Sequence, residues 1–206
     1  MKNYLFPNVD FRNIEFMKLD DTIHLSFGQY CSPFMESSDN LNPNYFNLVY
    51  DHSISIFEDL FAKSSRIQLI HVVSEWDIGF KQTRFSHRFL NKRLVPQYDT
   101  YHNLYNPEIT RHAFIYECTR EDIKYKKLLK AINNQDFPSL QPSINQNNAN
   151  FSELYFLNRD NGVIFHIYDD RGVWISFDDK VTLDDVAQRY AHYSYDFDVK
   201  DENLMI

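Results

Sequence analysis

Glycine is scarce, with 4 residues in a chain of 206, and none forms a Gly-rich loop of the kind that cradles phosphate. Walker and dinucleotide-binding patterns are therefore absent, as is the Gly-x-Ser-x-Gly elbow of a serine hydrolase. Cys31 and Cys118 are the only cysteines. Without C-x-x-C spacing they exclude a disulfide framework and read as small, buried, reduced thiols. The 8 histidines show no H-x-x-x-H, H-x-H or His/Cys cluster, so no local metal motif exists and no cofactor is expected. No apolar run approaches the length of a membrane span, and residues 1–7 lack the apolar run of a signal peptide. The expectation is a cytoplasmic chain without a membrane partner.

What the chain does have is aromatics: 18 Phe, 14 Tyr and 2 Trp, or 17% of residues. Such a load excludes wholesale disorder, because it supplies the apolar area that offsets chain entropy. It also leaves rings for the surface, where Tyr is well tolerated. The formal net charge of −8 disfavours non-specific binding to nucleic acid and suits a basic partner. Charge is also segregated: residues 1–80 carry −6, residues 81–130 carry +6 and residues 160–206 carry −7. A basic middle thus lies between acidic ends.

Periodicity places the elements. Thr22-Ile23-His24-Leu25-Ser26-Phe27 reads as a strand ended by Gly28, and residues 31–44 as a polar loop. Asn42-Pro43 is an N-cap followed by Pro at the first helical position. Behind it Phe46, Val49, Tyr50, Ile54, Phe57, Leu60 and Phe61 predict an amphipathic helix over 43–63. Ile67-Gln68-Leu69-Ile70-His71-Val72-Val73 predicts a central strand, and residues 112–118 another. Thr119 with Asp122 predicts a capped helix to about Asn133. Residues 134–150, polar and with two prolines, predict a long loop and the one candidate boundary in an otherwise single 206-residue domain. Asn161-Gly162 between two apolar runs predicts a hairpin. Asp169-Asp170-Arg171-Gly172 predicts a second turn into Val173-Trp174-Ile175-Ser176-Phe177, before a closing helix capped by Thr182 and Asp185. Short turns force antiparallel pairing. The fold class is α+β: a mostly antiparallel sheet packed on helices, ending in a three-stranded meander and a helix.

Three groups of residues carry chemistry. The segment 81–93 interleaves Arg84, Arg88, Lys92 and Arg93 with Phe85 and Phe89. It could bind nucleic acid, though rings entering the core and cations pairing with the acidic ends explain it as well. Asp169, Asp170 and Arg171 could form an acid/base pair with a charge clamp in an enzyme or nucleotide-binding protein; turn chemistry alone also accounts for them. Glu75, Trp76 and Asp77, an aromatic flanked by acids after the central strand, have the composition of a protein-binding anchor, although the ring would serve equally as a lid on the core. His71 and His166, within apolar strands, read as structural.

The string Tyr168-Asp169-Asp170-Arg171-Gly172 between two apolar strands, followed by a helix bearing Tyr190 and Tyr193, resembles a family of bacterial proteins of unknown function. Gly28, Phe57-Glu58-Asp59-Leu60-Phe61 and the strand from Ile67 to Val73 are similar too. The resemblance implies a small cytoplasmic bacterial domain and brings no activity. With no catalytic motif and with acidic ends, the expectation is a non-enzymatic, immunity-type module that masks a basic toxin. Its expected contacts are Glu75, Trp76, Asp77, Asp169, Asp170, Asp178 and Asp179.

Overall fold

The computed structural model describes residues 22–27, 31–63, 65–75, 85–91, 94–102, 106, 108–144, 150–177 and 180–191. The elements run β1 (Thr22–Ser26), α1 (Pro43–Leu60), β2 (Arg66–Glu75), α2 (Phe85–Phe89), β3 (Gln97–His102) and β4 (Thr110–Thr119). They continue with a 3-10 turn (Arg120–Asp122), α3 (Tyr125–Asn133), β5 (Asn150–Asn158), β6 (Ile164–Ile167), β7 (Gly172–Ser176) and α4 (Lys180–Arg189). The strands form a single antiparallel sheet in the order β1-β7-β6-β5-β2-β4-β3.

Alternation along each strand sorts side chains to two faces. Leu25, Ile67, Leu69, Val73, Leu154, Phe156, Phe165 and Val173 join Phe46, Val49, Phe57, Leu128, Leu129 and Val186 in the main core, so α1, α3 and α4 cover one face. Phe57 is its hub: fully buried, its ring lies 4.5 Å from Phe61, 4.9 Å from Phe156 and 5.6 Å from Phe165. The opposite face carries a smaller buried cluster around Ile70, Val72, Tyr155, Leu157 and Ile164. Burial on both sides is why the inner strands read as continuous apolar runs.

The α+β class and the meander followed by a helix are as the sequence predicts, but that helix starts at Lys180, so Thr182 lies inside its first turn and is not its cap. By contrast, α1 starts where the cap places it: the Asn42 side chain accepts from the Asn44 amide at 3.1 Å, ahead of Pro43. At Gly162 a φ of 73° makes the hairpin turn glycine-specific.

β2 is an interior strand as expected, paired with β4 on one side and β5 on the other. A further expectation is corrected. The helix expected after Thr119 begins as the 3-10 turn, closed by the Thr119–Asp122 capping box, then breaks before α3. Ile123 is drawn into an extended bridge with Leu90, and the Lys124 amide donates to the Phe89 carbonyl at 2.8 Å. Tertiary pairing there outweighs helical propensity. The described part of the 134–150 loop is tied down. Asn134 Nδ2 donates to the Pro142 carbonyl at 2.8 Å, and the Ile144 amide to the Ala131 carbonyl at 2.9 Å. Strands from both sides of this loop share the one sheet.

Candidate functional site

At one end of the sheet, four pieces of chain converge: the 31–42 loop, the first turns of α1, the residues after α3, and the β6–β7 turn. The loop is a small hairpin. Phe34 bridges Leu41, the Met35 amide donates to the Asn40 carbonyl at 2.8 Å, and the Asn42 amide to the Pro33 carbonyl at 2.8 Å. At its tip Ser37 takes a φ of 60°. This bonding holds Phe34 and Met35 outward, 44% and 51% exposed, beside the exposed carboxylates Glu36 and Asp39. The Phe34 ring sits 6.2 Å from Phe137, which itself packs 4.8 Å from Phe46 on α1. Leu48, 38% exposed, and Asp51 lie three residues apart on the outer side of α1.

Behind this surface the β6–β7 turn carries its two carboxylates inward. Asp169 and Asp170 are only 1% and 5% exposed. Asp169 receives the Arg171 amide at 3.0 Å and its Nε at 2.5 Å, a local clamp that makes the turn. Asp170 receives the Tyr45 hydroxyl at 2.5 Å, which ties the turn to α1 across 125 residues of sequence. Asp136, exposed at the end of α3, brings a third carboxylate, and one oxygen from each residue lies within 4.8 Å of the others. Burial pushes the Asp170 carboxyl above its ordinary range despite the Tyr45 bond, with Asp169 and Asp136 adding repulsion. Burial and then Asp169 push Asp136 up as well. Such a group can share a proton or present oxygen donors to a hard cation. Arg171 already compensates Asp169.

Of the expected contact residues, Asp169 and Asp170 are described with their side chains, and both are turned inward. Asp169 and Asp170 engage their own chain. Glu75 ends β2, its backbone opposite Thr110 and Asn150. Trp76, Asp77, Asp178 and Asp179 fall outside the described residues, as do Arg84, Lys92 and Arg93. From the basic segment, Phe85 and Phe89 enter the core, and Arg88 Nη2 donates to the Ser143 carbonyl at 2.5 Å. His71 is buried, its Nε2 3.2 Å from Ser152 Oγ, and burial drives its pKa down to about 3.

The opposite sheet face holds a polar cluster that no local motif announces. The Glu153 carboxylate accepts from Arg111 and from the Tyr155 hydroxyl at 2.5 Å, and lies 3.3 Å from His166 Nε2. The Tyr155 ring stacks on His166 at 4.3 Å. Burial alone would raise the Glu153 carboxyl; His166, Arg111 and Tyr155 together bring it down to about 2. The cross-strand register placing Tyr155 opposite His166 assembles this cluster, and only a paired sheet reveals it. Phe34 and Met35 were also missed, since a polar loop with two apolar residues gives no periodic signal.

A family model described as a domain of unknown function, DUF3885, matches residues 3–198. The chain is similar to a protein of Bacillus subtilis (strain 168) described as uncharacterized protein YnaE, at 26% identity over 178 residues, covering 82% of this chain and 83% of the relative. No solved structure matches.

Proposed function

We propose that this chain, which belongs to the DUF3885 family, is a protein-binding module of the immunity type that docks on a basic partner and masks its toxicity. One observation carries the reading: two large apolar side chains, Phe34 and Met35, are held out on one arm of a hydrogen-bonded hairpin that also exposes Glu36 and Asp39. Two adjacent exposed apolar side chains form a small patch of the kind that marks contact sites. Apolar anchors inside a charged rim have the anatomy of a binding patch. Glu36 and Asp39, exposed on the same hairpin, make its end acidic, which steers a cationic partner and repels an acidic one. Asp169 and Asp170 then act from within, by fixing the turn and α1 against one another.

The test is co-expression with the product of the adjacent gene, scored by host survival and co-purification. The expected result is a neighbour that is toxic alone and harmless in a stable complex. Replacing Phe34 and Met35 by Ser should weaken that complex at least about 100-fold, and Glu36→Lys with Asp39→Lys about 10-fold, mostly by slowing association. A neighbour that is neither toxic nor bound, or a complex indifferent to all four substitutions, would overturn the reading.

A further inference from the structure

β3 is an outer strand of the sheet: among the described residues no strand pairs with its second side. Gln97, Tyr98, Asp99 and Thr100 are all exposed, and Val95 just before the strand is 90% exposed. Soluble proteins usually blunt such an edge with lysines, prolines or bulges. Here the strand Gln97–His102 contains no Lys and no Pro and pairs residue for residue with β4.

The Thr100 amide shows which atoms are on offer. It donates to Asp99 Oδ1 at 2.9 Å rather than into the β4 ladder, so it points away from β4. By alternation the backbone groups of Tyr98 and His102 point the same way. A strand paired about Asp99 would set two carboxylates opposite each other at the closest side-chain spacing, an arrangement like charges disfavour. A strand paired about Tyr98 would run Pro96 into the ladder, where it has no donor. Pairing about Thr100 has neither fault. It sets Thr100 opposite Thr100, Tyr98 opposite His102, and Asp99 opposite Tyr101, so the strand is complementary to itself.

We propose that the outer edge of β3 pairs antiparallel, centred on Thr100, with the same edge of a second copy of this chain, joining two sheets into one. Outward groups at 98, 100 and 102 of both copies supply about six backbone hydrogen bonds, two of which replace the bond from the Thr100 amide to Asp99 in each copy. The six-residue strand alone makes a contact below the roughly 1,200 Å² of stable interfaces, so the dimer dissociates on dilution. This surface is separate from the acidic end and does not depend on its role.

Sedimentation equilibrium on the full chain, from about 10 µM to about 1 mM, tests the pairing. The mass should climb from 24.8 kDa toward twice that value. Position 100 faces itself only in this register. Thr100→Lys and Thr100→Asp should therefore each weaken self-association at least about 10-fold, while their equimolar mixture restores it. Both substitutions are at an exposed site, and far-UV circular dichroism verifies the fold. A mass that stays at 24.8 kDa throughout, a Thr100→Lys dimer of unchanged strength, or a mixture that does not re-associate would each overturn the proposal.

Discussion

Replacing Glu153 by Gln keeps the volume of the side chain and removes its charge from the middle of the sheet's second face. Three groups lose their anion at once: the Arg111 guanidinium, the Tyr155 hydroxyl and His166. The Glu153 and Arg111 side chains are only 10% and 16% exposed, so water does little to screen the loss. Removing one partner of a buried ion pair costs about 3–5 kcal/mol. A second route gives the same size: holding a carboxyl at about 2 rather than its ordinary 4.5 corresponds to about 3 kcal/mol at neutral pH. Because the folded value lies below the unfolded one, this contribution is present above about pH 4.5 and disappears as the pH falls toward about 2. Urea unfolding followed by far-UV circular dichroism at pH 7 should show the Gln variant less stable by about 3 kcal/mol, with a flatter stability profile between those pH values. Adding Arg111→Met to the same chain should recover about half the loss, since no buried charge then stands alone. A Gln variant within about 1 kcal/mol of the parent at pH 7, or one whose acid profile runs parallel to it, would refute the reasoning.

At the other end of the molecule, Tyr45→Phe removes the side-chain donor to the buried Asp170 carboxylate and should cost about 1–3 kcal/mol in the same assay. The loss should shrink in mild acid. Asp170 titrates above its unfolded range, so the folded state gains relative stability as the pH falls through that folded value and the group takes up a proton. Gly172→Ala should be worse, at about 3 kcal/mol or more: the new methyl would meet the Leu25 carbonyl oxygen at 2.2 Å, and backbone has little room to yield. Amide exchange should then rise first in β1, whose register with β7 ends at the Ser26–Gly172 pair.

Local chemistry was legible wherever the cause is local. Asn42-Pro43 announced the start of α1, Asn161-Gly162 the β5–β6 hairpin, and alternation the buried strands. Ile123 shows the limit, because its extended conformation comes from Leu90, more than thirty residues earlier in the chain. The site was less legible for the same reason. Asp169 and Asp170 looked like an acidic surface because a tight turn usually carries its acids outward. The structure turns them in, onto Arg171 and onto Tyr45. Nothing near Glu153 in sequence hints at Arg111, whose position follows from strand order alone. Among the described residues no helix is long and apolar enough to cross a membrane.

The pairing of β1 with β7 sets Thr22 opposite Ser176, about 150 residues apart, and among the described residues β1 has no other partner in the sheet. During synthesis the earliest described strand therefore waits for the last described one before it can dock. Until then Ile23 and Leu25, which end up at 4% and 0% exposure, travel uncovered. Closing so long a loop carries an entropy that only the finished sheet repays, which makes folding slow. On the ribosome the chain is thus obliged to hold an apolar strand in reserve, a stretch suited to a chaperone until the last strand emerges.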